Sequence, residues 1–267
     1  MGFSADASRI ALPRGKVFFA RKNNLSTGTL DPLLHLGNCS KFEFSSIGDD
    51  IAKITDFTTF VSTPLAQISK LRAPEFGLTL MECNPDNLKL VFMADSGTAY
   101  TQSAGTVPGE LLSGGIKVGA IYKLAKRGIP GGTQITALTL KKGGVALSVA
   151  TDYSLIDATN GIVVINAITS SSVAAGDAIT ADYTAPAITT GLNVLTGGTA
   201  SRIEGQLLYI GTSNIGPVHQ VDIWNCAISS DGAFPFISSD PNEFGLKVTV
   251  LSSSQTDLFR ITELEAS

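Results

Sequence analysis

Histidine, methionine and tryptophan are scarce in this chain, with two His, three Met and one Trp in 267 residues. So few histidines leave little material for proton transfer or a zinc centre. Cysteine is also sparse: Cys39, Cys83 and Cys226 lie far apart and form an odd set. A disulfide framework needs close, usually even sets, and a zinc site needs paired spacing such as CxxC. Buried free thiols in a chain that folds in a reducing cytosol are expected instead. Charged residues make up only 16% of the chain, nineteen basic against twenty-three acidic, for a net charge of −4. Gripping nucleic acid requires a clustered basic excess that displaces counterions from phosphates. Here the basic patches are short: Arg21-Lys22, Lys141-Lys142, and Lys123 with Lys126-Arg127. Tight DNA binding is therefore not expected. No run approaches the ~20 apolar residues that span a bilayer, and the first thirteen residues lack the apolar core of a signal peptide. A soluble protein with no membrane insertion is expected.

What is present points to sheets. Hydrophobic residues reach 43%, enough to fill a packed core, and thirteen are Phe. Runs of Val, Ile, Thr and Ser punctuated by Gly are the composition of strands and turns. The fold class is expected to be mainly β.

Along the chain, residues 1–14 show no period and read as an arm. Lys16 to Ala20 is a compact strand, and 23–38 is loop-like, broken by Gly28, Pro32 and Gly37. From Ser40 to Ser46 the pattern alternates, with Phe42 and Phe44 on one side and Lys41, Glu43 and Ser45 on the other. Residues 47–72 mix Asp49, Asp50, Lys53, Asp56, Lys70 and Arg72 with Phe57, Phe60, Val61 and Leu65. A loop of about 25 residues is long for a passive connection, and its phenylalanines are costly in water. A β-hairpin arm covered by a partner accommodates both facts. Phe76, Leu78 and Leu80 make the apolar side of the next strand. Asn84-Pro85-Asp86 then opens a helix with a capping side chain, a proline at the first position and an acid at the positive end. Leu88, Val91 and Phe92 are expected to form its buried stripe, and Asp95-Ser96-Gly97 its stop.

Residues 98–115 read as a flexible Gly/Ser/Thr stretch, and Ile116 to Leu124 as a strand. Residues 131–186 look like an insert with short strands at Ile135–Leu140, Val145–Val149, Tyr153–Ile156, Ile162–Ile165 and Ala178–Tyr183. Gly143-Gly144 and Asn160-Gly161 mark tight turns. Strands at this spacing suggest a small immunoglobulin-like sandwich, without the cysteine pair or core tryptophan of true immunoglobulin domains. Thr189 to Thr199 reads as a return linker. Strands follow at Gln206–Ile210, Val218–Ile228, Phe234–Ile237 and Leu246–Leu251, with a tight turn at Asp231-Gly232 and a last element at Phe259–Ile261.

Catalytic signatures are missing. Neither HExxH, GxSxG, a phosphate-cradling GxxxxGK[ST] nor a GxGxxG after a strand occurs. His35 and His219 read as structural or surface residues. Asp152-Tyr153 and Asp182-Tyr183 read as strand-end caps beside core tyrosines, not as paired carboxylates for sugar hydrolysis. No enzyme and no cofactor are expected.

Phe76-Gly77-Leu78-Thr79-Leu80-Met81-Glu82-Cys83-Asn84-Pro85-Asp86-Asn87-Leu88 resembles the strand, acidic residue and Asn-Leu helix start of the major tail tube proteins of long-tailed bacteriophages. Gly15 to Ala20, Leu36-Gly37-Asn38 and Phe42-Glu43-Phe44 resemble it upstream. Thr151-Asp152-Tyr153-Ser154, Asn160-Gly161-Ile162 and Ile179 to Tyr183 are similar to a β module that many such proteins carry. Together these segments cover about two thirds of the chain in family order. The resemblance implies a tail-tube-type β-sandwich or barrel with one short α-helix over 1–130 and 187–267. The 131–186 module would be inserted on its outer surface. It implies rings of about six subunits, stacked into a tube that passes the genome, with other tail proteins at the tube ends. Asp49, Asp50, Lys53, Asp56, Phe57, Phe60, Lys70 and Arg72 would belong to a ring-stacking arm. Lys41, Glu43 and Ser45 would line the bore, where double-stranded DNA passes without tight binding. The site of action would be the virion tail, assembled in the host cytoplasm. Two other readings fit the pattern: a tube protein of a contractile tail, and a carbohydrate-binding or adhesin module of a phage fibre. Sugar platforms are scarce, with one Trp and five Tyr.

Overall fold

The computed structural model describes residues 13–23, 28–46, 49–55, 64–71, 73–95, 97–112, 114, 117–166, 176–189, 193–212, 216–253 and 257–264. For 46, 49–55 and 64–71 it gives the backbone path. The protein is mainly β, with one short helix and several antiparallel sheets. The chain divides into two compact units, 1–97 with 195–267, and 98–194.

The first unit opens with β1 (Gly15–Arg21), β2 (Leu34–His35), β3 (Cys39–Ser46), β4 (Asp49–Thr55), β5 (Pro64–Leu71), β6 (Glu75–Leu80) and α1 (Pro85–Val91). The chain leaves through β7 (Gly97–Ala99). It builds the second unit from β8 (Gly105–Leu111), β9 (Ile121–Lys123), β10 (Thr136–Lys142), β11 (Val145–Ala146), β12 (Tyr153–Asp157), β13 (Ile162–Ile165) and β14 (Ile179–Ala185). After β15 (Asn193–Leu195) the first unit is completed by β16 (Ile203–Gly211), β17 (Val218–Asp231), β18 (Phe244–Val250) and β19 (Phe259–Leu264).

The main sheet of the first unit runs β2-β1-β16-β17-β18-β6-β3, with β19 also on β17. Strand β17, fourteen residues long, makes the sheet fork. One of its edges pairs with β16, while the other serves two partners: Val218–Ile223 pair with β19, and Cys226–Asp231 with β18. The register slips at the fork, where Leu207 faces Ile223 but Gly205 faces Cys226. Side chains alternate with a period of two, so a one-residue slip reverses the inward phase. Val221 and Ile223 point into the core before the slip, and Cys226 and Ile228 after it. Two diverging half-sheets therefore close on one interior. That interior holds Val17, Phe19, Phe76, Leu78, Leu80, Leu207, Phe244, Leu246 and Val248, all almost inaccessible to water. Removing one such leucine side chain costs about 2–5 kcal/mol.

Helix α1 packs on β17 and β18. Asn84 caps it, accepting from the Asn87 N–H at 2.8 Å, with Pro85 in the first turn and Asp86 paired to Lys89 at 2.7 Å. Its buried face differs from the expected stripe. Asn87, Leu90, Val91 and Ala94 are buried, whereas Leu88 and Phe92 are half-buried, because a polar side chain takes the innermost place.

The second unit packs two antiparallel sheets, β11-β10-β14-β8 and β12-β13-β9, around Leu140, Tyr153, Val163, Ile165, Ile179 and Tyr183. It begins well before the expected 131. Residues 105–111, read as flexible, form β8 because they pair with β14, and β9 pairs with β13. The strand expected over 116–124 shrinks to Ile121–Lys123, since Val118 and Gly119 form a turn and Gly119 has φ +79°. The Asp157 carboxylate accepts from the Thr159 and Asn160 N–H groups and the Asn160 amide, making a four-residue turn in place of the expected two-residue one. Those bonds, the Asn160 side chain first, hold the Asp157 carboxyl below its ordinary range. In both acid–tyrosine pairs the tyrosine is core. Asp152 accepts from the Ser148 N–H, and Asp182 from the Gly109 N–H. Phe234–Ile237, expected as a strand, is a loop, and the Asp231-Gly232 turn opens a long connection rather than a tight one.

Candidate assembly surfaces

Strands β3 and β6 pair with each other, and at the base of the pair Ser46 faces Glu75. Everything between these two residues leaves and re-enters the sheet at one point. Within that excursion β4 and β5 form an antiparallel ladder from Asp49–Leu71 to Thr55–Pro64, a two-stranded sheet that joins no other strand among the described residues. Seven paired positions at ~3.3 Å each make this ladder about 23 Å long. An isolated two-stranded ribbon is only marginally stable in water. Of the expected arm residues, Asp49, Asp50, Lys53 and Lys70 lie on the ladder, with Asp50 opposite Lys70 and Lys53 opposite Gln67. Asp56, Phe57, Phe60 and Arg72 lie outside the described residues.

Strand β3 ends the sheet, so one of its backbone edges has no strand partner among the described residues. Lys41, Glu43 and Ser45 are exposed along it. The apolar side is less uniform than alternation predicts. Phe42 is half-buried, stacked on Phe76 at 5.5 Å and Tyr209 at 5.2 Å. Phe44 is 46% exposed, with a register slip just after it and its ring against those of Phe76 and Phe259. Strand β19 likewise has β17 as its one partner, and β2, two residues long, ends the sheet on the far side. Open edges of this kind recruit further strands unless they are blunted.

A polar latch fixes β3 to α1. The Asn38 N–H donates to Glu82 Oε1 at 2.8 Å, and the Met81 N–H to the Asn38 carbonyl at 3.0 Å. Asn87, buried beneath, donates to the Leu36 carbonyl at 2.8 Å and the Glu82 carbonyl at 2.9 Å. Gly37 allows the approach: its φ is +81°, and a Cβ there would strike the Glu82 carboxylate. Leu36-Gly37-Asn38 and Glu82 to Leu88, separate in sequence, are thus one piece in space. Composition alone could not reveal this; two polar residues flanking a helix cap were the available signal. Burial, with the Glu82 charge, pushes the neighbouring Cys39 thiol up to about 11, a shift that favours the neutral thiol over the thiolate. All three thiols are free. Cys226 is buried as expected, but Cys83 is exposed because it sits in the turn before the helix cap.

A polar cleft of about 610 Å³ opens beside α1, edged by Arg21, Lys22, His35, Lys89 and Arg202. Its cations are already engaged. Arg21 pairs with Asp95 at 3.1 Å, Lys22 with Glu204 at 3.2 Å, Arg202 with Glu204 at 2.5 Å, and Lys89 with Asp86. Such a neutralised rim offers a phosphate little attraction. His35 lies against the Phe18 ring at 5.1 Å, and His219 is exposed on β17. Among the described residues, no three His, Cys, Asp or Glu side chains gather where they could share a metal. No helix among them is long and apolar enough to cross a membrane.

A family model matches residues 11–257, more than nine tenths of the chain. The chain belongs to the family described as "Protein of unknown function UCP028589". The family span takes in the β4–β5 ladder, α1 and the whole second unit, and stops just before β19. No curated protein matches the chain.

Proposed function

We propose that this protein is the structural subunit of a bacteriophage tail tube, assembling with copies of itself into stacked rings around a channel for the genome. The β4–β5 ladder carries the reading. It rises from the end of an edge hairpin, pairs with no other strand, and leads into a segment whose Phe57 and Phe60 need cover. A reach of about 23 Å suits contact with a neighbouring subunit. In this reading the first unit is the tail-tube-type sandwich or barrel, and the open edges of β3 and β19 are completed in the assembly. Lys41, Glu43 and Ser45 face the bore. The acid excess, repeated over many copies, weakens adhesion of passing double-stranded DNA. Other tail proteins cap the tube ends, and the site of action is the virion tail, assembled in the host cytoplasm. The Thr55–Thr63 deletion tests the arm. The variant is expected to keep the wild-type melting transition and sediment as a monomer at concentrations where the wild type polymerises. Polymerisation equal to wild type would remove the arm from the mechanism.

A further inference from the structure

The loop between β17 and β18 carries the most exposed apolar side chains of the described residues: Ile237 is 96% exposed and Phe236 81%. They are not loose. The Phe236 ring lies on Phe234 at 5.0 Å and on Phe92 at 5.8 Å, and Phe234 rests on core Phe244 at 5.5 Å. Pro235, between the two phenylalanines, fixes its own backbone angle. The result is a preformed apolar knob, and large side chains held out in water mark a contact surface.

The same unit carries an apolar groove of about 220 Å³, between the open edges of β3 and β19. Its walls are Phe42, Phe44, Phe76, Tyr209, Val221 and Ile261, with Arg14 and His219 at the rim. Phe44 and Ile261 are half-exposed there, at 46% and 56%. An apolar cavity of about 150 Å³ is enough to hold a benzene ring, so this groove has room for one phenylalanine.

The strand register separates knob from groove. Phe244, under the knob, pairs with Leu80, which pairs with Cys39; the groove lies around Phe76 and its partner Phe44, four residues along β6. At ~3.3 Å a residue, this is about 13 Å toward the opposite end of the strand. A knob at one end and a fitting hole at the other make a head-to-tail contact, the kind that closes rings or extends filaments. We propose that the Phe236 ring of one subunit, flanked by Ile237, inserts into the β3–β19 groove of a second copy. This inference rests on the self-assembly reading above and names the contact that joins adjacent copies.

Two variants test it. Phe236→Asp with Ile237→Ser removes the knob, and Phe44→Lys with Ile261→Lys spoils the groove; all four positions are substantially exposed, and a thermal melt confirms folding. Each variant alone is expected to need a roughly tenfold or higher concentration to assemble. Mixed in equal amounts, they are expected to form a heterodimer that grows no further, because one intact knob meets one intact groove. Mass photometry reads all three samples. Wild-type-like assembly of the knob variant, or a mixture that stays monomeric, overturns the knob-and-groove contact while leaving the tube reading standing if the wild type still polymerises. A wild type that stays monomeric at high concentration overturns both.

Discussion

Asn87 ties the loop before β3 to the turn that opens α1. Its amide joins the carbonyls of Leu36 and Glu82, and its backbone N–H takes the Asn84 cap. An acceptor left without a partner in a buried site costs about 1–3 kcal/mol. Asn87→Leu, close in shape but unable to donate, is expected to destabilise the first unit by about that amount. A denaturant melt should show a lower midpoint with an unchanged slope; an unchanged midpoint would mean that water or a shift of the loop replaces the amide. Leu88, the residue that helical spacing placed in the buried stripe, should respond less to truncation because it is half-buried. Hydrophobic periodicity finds apolar faces and passes over a buried amide. This is why the helix and its cap were legible and its innermost residue was not.

Elements were legible where alternation and turn chemistry agreed. Strands β6 and β18 have buried side chains at alternate positions, and their sequences show it. Strand β8 was missed because Gly105, Pro108 and Gly109 give it no strand propensity; it exists through pairing with β14. The opposite error occurred at Phe234–Ile237, where an apolar run makes a surface knob. These long-range pairings decide where the second unit starts. Excision of 131–186 would strand β8 and β9 without β14 and β13, and is expected to give aggregating protein. Excision of 98–194 cuts at better places. Within the first unit the Gly198 N–H donates to the Phe92 carbonyl at 2.8 Å and the Ala200 N–H to the Met93 carbonyl at 2.9 Å. The two ends therefore lie side by side, and a short Gly-Ser linker should join them. Circular dichroism and size-exclusion chromatography should show a folded, smaller β protein. Collapse of that variant would make the second unit an obligatory part of the core.

At the scale of the whole molecule, the fold class was readable from composition, since short β-branched runs between glycines have few other uses. The forked sheet was not. It depends on a one-residue slip between Ile223 and Cys226, and nothing at Trp224-Asn225 announces a bulge. The assembly surfaces divide in the same way. The mix of Phe and charge over 47–72 was legible in the sequence, whereas the loop at Phe236 and the groove at Phe44 needed the strand register to place them along one sheet. We propose that further copies cover the open strand edges, the knob and the groove. Negative-stain electron microscopy of the concentrated, purified wild-type protein tests that claim most directly. The account predicts hollow rings and tubes with a stain-filled bore. A field of isolated monomers at high concentration would contradict it.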